Sequence, residues 1–116
     1  MLNIETTKKD IVQHLNGINA TKVILFGSYA YGTPNEDSDL DICIIKENIE
    51  SKIKEKRKIR KLLKDINIPK DILIVDENYF QTHSDENWIN TALYDVKHKG
   101  EILYEIKMRF KMLLLK

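Results

Sequence analysis

The segment from residue 23 to residue 45 constrains the fold more than any other part of the sequence. It opens with a continuous apolar run, residues 23–26, which is typical of a short buried strand. Gly27-Ser28 follows at once, and a turn-rich stretch, residues 32–35, precedes a second predicted strand at 40–45. The chain therefore predicts two strands separated by a loop that begins with glycine and serine.

Two carboxylates, Asp39 and Asp41, mark the start of the second predicted strand. Because residues i and i+2 leave a strand from the same face, both side chains are expected to point the same way despite their repulsion. Such carboxylates raise each other's pKa unless a cation lies between them. Mg²⁺ suits this position, since it is a hard ion held by carboxylates and substrate phosphates. An isolated Asp-x-Asp is common in loops, so this prediction depends on what surrounds the pair.

Gly27 and Ser28 supply the features of a phosphate site. A glycine allows the backbone to approach a phosphate closely. Ser28 can cap the helix expected after it, and the free N–H groups at the start of a helix attract anions. A pair of metal-binding carboxylates that faces a phosphate-binding turn indicates a nucleotide site.

Gly27-Ser28, ten intervening residues and Asp39-Leu40-Asp41 together resemble the signature of the DNA polymerase β-like nucleotidyltransferase superfamily. The wider segment GSYAYGTPNEDSDLDICII resembles its minimal, single-domain branch, the MNT family. Asp71, which opens a third predicted strand at 71–75, stands where the family places a third carboxylate, and residues 99–105 resemble its usual ending. Tyr31 stands where many minimal members carry arginine.

The resemblance implies an α+β fold, a small mixed β-sheet backed by helices. It also implies transfer of AMP from ATP to a hydroxyl, with release of pyrophosphate. Gly27 and Ser28 would hold the β- and γ-phosphates, and Asp39 and Asp41 would hold two Mg²⁺ ions. Asp71 would complete the metal site next to the acceptor hydroxyl and help to deprotonate that hydroxyl.

Family analogy also suggests the acceptor. Minimal nucleotidyltransferases are paired with a helical HEPN-domain protein in toxin–antitoxin modules, where they adenylylate a tyrosine of the ribonuclease toxin. Two other hypotheses stay open: an aminoglycoside-type enzyme with a small-molecule acceptor, whose missing half is a second subunit or a homo-oligomer partner, and a non-catalytic antitoxin that acts by complex formation.

The length of 116 residues predicts a single domain, 1–116. Apolar residues make up 42% of the chain and charged residues 32%, with a net charge of +1, a composition typical of a soluble protein. The single Cys43 excludes an internal disulfide, and a buried apolar role is expected for it. We see no signal peptide or membrane span and expect a cytoplasmic protein.

Apolar periodicity predicts helices at 7–15 and 48–66 and a last helix that begins at Asp85 or Asn87, with an irregular stretch at 78–85 before it. Between Lys52 and Lys64, eight of thirteen residues are Lys or Arg. This basic face could bind nucleic acid, but no aromatic residue is interleaved with the cations. A solvated face or a protein docking face is the favoured interpretation, and nucleic acid is not expected as a direct ligand.

Overall fold

The computed structural model describes residues 3–106. The helices are α1 (Ile4–His14), α2 (Ser28–Tyr31), α3 (Lys52–Leu62), α4 (Glu77–Thr82) and α5 (Ala92–Lys99), with a short 3₁₀ helix at Glu86–Trp88. The strands are β1 (Lys22–Phe26), β2 (Leu40–Lys46), β3 (Lys70–Asp76) and β4 (Glu101–Glu105). The C-terminal segment 107–116, which contains three consecutive leucines, lies outside the described residues.

The four strands form one mixed sheet in the order β3-β2-β1-β4. β1 pairs antiparallel with both β2 and β4, whereas β2 pairs parallel with β3. A parallel pair needs a crossover connection, and α3 provides it between β2 and β3. The expected small mixed sheet with helices is confirmed.

Helices cover both faces of the sheet, and the alternation of side chains along each strand explains why. α1 and α3 pack on one face, over residues such as Leu25, Ile42 and Ile72. α4 and α5 pack on the other face, over a smaller cluster that includes Cys43, Ile45, Val75, Phe80 and Val96. Cys43 is buried there as expected, and burial raises the pKa of its thiol to about 12.

Four helix predictions differ from the structure. The first helix, α1, begins at Ile4 and not at residue 7, because Asn3 Oδ1 caps it by accepting from the Thr6 N–H at 3.1 Å. α3 begins at Lys52, because Ser51 caps it and Asn48 adopts a positive φ of 57° that a helix cannot contain. The stretch predicted as irregular contains α4, whose first N–H groups bond to the Asp76 carboxylate at 2.9 and 3.3 Å. The last helix begins only at Ala92, capped by Thr91.

The longest helices within residues 3–106 have eleven residues. None of the helices in that range combines the length and the hydrophobicity needed to cross a bilayer.

Candidate active site

Asp41, Asp71 and Gly27, which the sequence predicts as site residues, lie at one end of the sheet. Phe26, the last residue of β1, is the register partner of Asp41 in β2, and Asp41 is the partner of Asp71 in β3. Neighbouring strands lie about 4.8 Å apart, so the backbones of Asp41 and Asp71 are adjacent. Gly27 follows Phe26 directly, which places the glycine–serine turn at the same end of the sheet as the carboxylates.

Gly27 makes the closest approach in this region. Its backbone has φ 74° and ψ −157°, a combination that essentially only glycine adopts. A Cβ added there would lie 2.0 Å from Oδ2 and 2.9 Å from Cγ of Asp41. The Asp41 carboxylate therefore rests directly against the backbone of the turn, and no other residue fits at position 27.

The predicted cap at Ser28 is wrong. Gly27 occupies the cap position of α2, and Ser28 is the first helical residue, so the Ser28 hydroxyl lies one position too late to cap the helix. The Gly27 carbonyl accepts hydrogen bonds from the N–H groups of Ala30 and Tyr31 at 3.0 and 3.1 Å. The first N–H groups of a helix have no intrahelical acceptors, so this four-residue turn still presents donors beside Asp41.

Asp41 has a raised pKa. The side chain is half-buried, and burial raises its pKa, as do the negative charges of Asp71 and Asp39. The strand alternation puts Asp41 and Asp71 on the face covered by α4 and α5, level with Cys43 and Leu73. The three carboxylates thus form one negatively charged group.

Asp39 is exposed and lies just before β2. Its neighbour Leu40 is fully buried, and the Leu40 N–H donates to the Pro69 carbonyl at 2.9 Å. That bond fixes the start of β2 to the segment that leads into β3. Upstream, Asn35 and Ser38 close a turn in which the Asn35 N–H donates to Ser38 Oγ at 2.9 Å. Asp39 is therefore held between two anchored segments.

The chemistry of this group suits a divalent cation. The ion pairs formed within residues 3–106 include none of the three carboxylates, so their repulsion is not offset by a lysine or arginine. Among the described residues, no three histidine, cysteine, aspartate or glutamate side chains are grouped as a finished metal site. The oxygens of Asp39, Asp41 and Asp71 would have to turn toward one point to hold an ion.

One cation near the site was not predicted. Lys99 Nζ lies 5.7 Å from the ring centroid of Tyr31, the last residue of α2, and 3.7 Å from Asp95 Oδ1. Gly100 next to it packs so closely that an added Cβ would lie 2.5 Å from Ile24 Cγ2. This packing fixes Lys99 near the end of β1. The sequence shows Lys99 only as a basic residue at a helix end, with no sign of its proximity to α2.

Comparisons with known proteins agree with this geometry. Residues 6–105 match the family described as "Nucleotidyltransferase domain". A Methanocaldococcus jannaschii protein named "Putative protein adenylyltransferase" is 40% identical over 79 residues, which cover 68% of this chain and 78% of the relative.

Solved structures share the fold at low identity. One is a toxin–antitoxin complex with AMP-PNP, at a TM-score of 0.63 and 19% identity over 98% of this chain and 82% of that one. Another is the complex of tri-AMPylated Shewanella oneidensis HEPN toxin with MNT antitoxin, at a TM-score of 0.58 and 16% identity over 96% and 80% of the two chains. Sheet topology, family match and sequence relative agree, and the chain belongs to the nucleotidyltransferase domain family.

Proposed function

We propose that this nucleotidyltransferase is a protein adenylyltransferase that transfers AMP from ATP to a tyrosine hydroxyl of a helical HEPN-domain toxin, and so acts as its antitoxin. The relative of 40% identity carries the name of a protein adenylyltransferase. Two of the chains that share the fold come from toxin–antitoxin complexes, one with an ATP analogue and one with an AMPylated HEPN toxin. In this proposal a partner chain presents the acceptor hydroxyl.

The observation that carries the proposal is the parallel register of β2 and β3. It brings Asp71 beside Asp41, opposite the Phe26–Gly27 corner where the phosphate-binding turn begins. A donor group for phosphates, a pair of carboxylates and a third carboxylate therefore lie in one row across three strands. This arrangement supports transfer between a triphosphate and a hydroxyl, because it would hold both reactants and the charged groups close together.

Each residue then has a defined task. Gly27 and Ser28 bind the β- and γ-phosphates through backbone N–H groups, and the missing Cβ at Gly27 leaves room for Asp41. Asp39 and Asp41 would hold two Mg²⁺ ions, and Asp71 would share the ion next to the acceptor. Bound Mg²⁺ supplies neutralisation of charge on the phosphates and on the attacking and leaving oxygens.

We assign the role of proton acceptor to Asp71. It is exposed at the start of β3, whereas Asp41 is half-buried beside it. The Asp71 carboxylate accepts the proton of the acceptor hydroxyl as the oxygen bonds to the α-phosphorus of ATP. The bond from the α-phosphorus to the bridging oxygen breaks, and pyrophosphate leaves from the Gly27–Ser28 turn.

The test is intact-mass spectrometry of the protein encoded beside this chain, after incubation with the full chain, ATP and Mg²⁺. We expect a mass gain of one or more AMP units, which chelation of Mg²⁺ abolishes. Asp41→Asn should abolish the gain, and Asp37→Asn, a matched change at an exposed carboxylate of the same loop, should not.

Other outcomes of this experiment would favour a different function. A stable complex without any mass gain would favour an antitoxin that acts by binding alone. Pyrophosphate release that depends on a small aminoglycoside-type molecule, with no protein modified, would favour the small-molecule enzyme. Full transfer by the Asp41→Asn variant would exclude the proposed mechanism.

A further inference from the structure

The charges of this chain are distributed unevenly along the sequence. Residues 46–70, which include α3, contain ten of the 19 lysines and arginines but only four of the 18 aspartates and glutamates, a net charge of +6. Because the whole chain carries +1, the other 91 residues together carry −5. A strongly basic segment therefore lies within an otherwise acidic chain.

Five of these cations lie on the outer side of α3. Ile59 and Leu63 are fully buried and pack the helix on the sheet. The side of the helix turned away from them is exposed and consists of Ile53, Lys54, Arg57, Lys58, Arg60 and Lys61. We call these six residues the α3 face, which extends about 12 Å along the helix axis.

The chain does not neutralise the α3 face. The ion pairs formed within residues 3–106 include none of its five cations. Lys46 Nζ of β2 donates to Glu55 Oε2 at 3.0 Å, so the acid of α3 is turned toward the sheet. An anionic partner would therefore meet five cations that no carboxylate of residues 3–106 holds in an ion pair.

Other acids lie beyond the ends of the α3 face. Lys52 is left out of the face because its Nζ lies 5.9 Å from the Tyr79 ring centroid, in an acidic region. The segments around Tyr79 contain Asp76, Glu77, Asp85 and Glu86. Glu47 and Glu50 precede α3, and Asp65 follows it. These acids flank the α3 face and limit an anionic partner to the length of the face.

The arrangement of cations is unfavourable for the helix by itself. Lys54 lies in the first turn, where a cation opposes the helix dipole. Arg57 and Lys58 follow it at i+3 and i+4, and Arg60 and Lys61 follow Arg57 at the same spacings. Like charges at these spacings destabilise a helix. Natural sequences break such local rules mainly at functional sites, and a bound acidic partner would relieve the repulsion.

The composition of the α3 face favours a protein over a nucleic acid. Ile53 is 72% exposed and lies on the same side of the helix as Arg57 and Arg60, which follow it at i+4 and i+7. An apolar side chain gains little against a phosphate backbone but contributes when a protein covers it. Arginine pairs bidentately with carboxylates and is enriched at protein interfaces. α3 carries no aromatic ring on which bases could stack.

We propose that the α3 face binds an acidic helix of a partner protein. Carboxylates at i, i+4 and i+7 of such a helix repeat at the spacing of Lys54, Lys58 and Lys61, so each can meet a cation. An apolar residue of the partner helix covers Ile53. Arg57 and Arg60 bind further carboxylates beside it.

The direction of α3 links the face to the active site. The helix runs from the end of β2 to the start of β3, where the Pro69 carbonyl accepts from the Leu40 N–H at 2.9 Å, beside Asp39. A protein bound along the α3 face can therefore reach around the start of β3 to the carboxylates. That this protein presents the acceptor hydroxyl rests on the proposed function, whereas binding to the α3 face requires neither ATP nor catalysis.

The experiment measures fluorescence anisotropy of a labelled helical peptide, stabilised by a staple, with the full-length chain and without ATP. The peptide carries glutamates at i, i+4 and i+7 and a leucine on one side, and an analogue of the same composition spreads the glutamates around the helix. We expect the peptide to bind at least about tenfold more tightly than the analogue.

Variants of the chain locate the binding surface. Arg57→Glu/Lys61→Glu should weaken binding of the peptide at least about tenfold, and Ile53→Ala should weaken it severalfold. Lys9→Glu/Lys97→Glu changes the net charge by the same amount at exposed positions outside α3, and it should bind as the wild type does.

Two further measurements separate binding from helix stability and from catalysis. Arg57→Glu/Lys61→Glu should raise the urea midpoint of the free chain, because it replaces most of the like-charge repulsion within α3 by attraction. In the transfer reaction of the proposed function, the same variant should raise the KM for the acceptor protein and leave the KM for ATP unchanged.

Several outcomes would overturn the proposal. These are equal binding of the two peptides, no binding to the wild type, an equal loss of affinity in Lys9→Glu/Lys97→Glu, or a lower urea midpoint in the α3 double variant. Tighter binding of oligouridine that depends on Arg57 and Lys61 would replace the protein partner by a nucleic acid. A salt-sensitive wild-type dimer that the double variant dissociates would replace it by a second copy of the chain. Loss of AMP transfer with peptide binding intact would count against the proposed function alone.

Discussion

Replacement of Gly27 by alanine tests the closest contact in the active site. The change adds one methyl group where the backbone has φ 74° and ψ −157°. That methyl carbon would lie 2.0 Å from Oδ2 of Asp41, well inside van der Waals contact. The chain can accept it only if the backbone of the turn moves or the Asp41 carboxylate rotates away.

The magnitude follows from three contributions. A non-glycine residue in this backbone region costs about 1–3 kcal/mol. Rotation of Asp41 away from its preferred rotamer adds roughly 0.5–1.5 kcal/mol. Alanine also restricts the unfolded chain, which stabilises the protein by about 0.4–1 kcal/mol. We therefore expect Gly27→Ala to lower the free energy of unfolding by about 0.5–4 kcal/mol and to abolish AMP transfer.

Urea unfolding measures this loss, and the chain supplies two controls. Gly17 has φ 97° with no atom within 4 Å of an added Cβ, so Gly17→Ala reports the backbone contribution without a clash. In an Asp41→Ala background the contacts with Oδ2 and Cγ disappear, although Asp41 Cβ at 3.2 Å remains. There Gly27→Ala should cost roughly 0.5–1.5 kcal/mol less than in the wild type.

Three results would refute this reasoning. Wild-type stability in Gly27→Ala would show that neither the backbone conformation nor the close contact constrains position 27. An equal loss in the Asp41→Ala background would show that the carboxylate does not rest against the turn. Gly17→Ala that is more destabilising than Gly27→Ala would contradict the assigned order of the two contributions.

Three other predictions concern ionisable groups. Asp41→Asn should stabilise the chain near neutral pH, since burial and the charges of Asp71 and Asp39 raise the pKa of Asp41 and penalise its ionised form. Urea unfolding at several pH values measures this gain in stability. The gain should shrink as the pH falls through the raised pKa of Asp41 toward its ordinary value of 3.8, because Asp41 of the folded chain then binds a proton and loses its charge. A wild type that is more stable than Asp41→Asn near neutral pH would contradict this prediction. Cys43, with its pKa raised to about 12, should resist a thiol reagent at mildly alkaline pH until urea unfolds the chain, and rapid labelling of the native protein would disprove its burial. Lys99→Gln should weaken Mg-ATP binding severalfold in calorimetry, whereas Lys97→Gln should not. Lys99 lies over Tyr31, the last residue of α2, and α2 is only about 6 Å long, so the Lys99 ammonium is close to the Gly27–Ser28 turn. Equal affinities of the two variants would show that Lys99 does not contribute to Mg-ATP binding.

The strands could be predicted from the sequence because each is a short apolar run next to a turn signal. Residues 23–26, 40–45 and 71–75 all lie within observed strands. The pairing of β2 with β3 is different, since it depends on how the crossover packs and not on any local pattern. The position of Asp71 beside Asp41 was therefore suggested by family resemblance, and the parallel register supplies its physical basis.

Helix limits were harder to predict, because single side-chain bonds set them. The Asp76 carboxylate starts α4 in a stretch too polar to show helical periodicity. Thr91 caps α5, while Asn90 with φ 73° separates it from the 3₁₀ helix. A search for an aspartate or threonine whose side chain can accept a hydrogen bond from an N–H group two or three positions later would have found both starts.

The surroundings of Lys52 show what a linear sequence hides. No aromatic residue is interleaved with the cations of α3, and that absence argued against nucleic acid as a direct ligand. The fold brings Tyr79 and Trp88 to Lys52 from segments more than twenty-five residues away. Contacts between elements that are distant in sequence are set by tertiary packing, which periodicity does not report.

The parallel pairing of β2 with β3 also has a kinetic consequence. β1 and β2 are neighbours in sequence and can form their antiparallel pair early, whereas β3 must wait until the crossover through α3 has closed. We therefore expect Asp39 and Asp41 to be in place before Asp71 joins them. Refolding monitored by backbone signals should run ahead of the recovery of AMP transfer, and the closure of the crossover would set the lag before the first turnover.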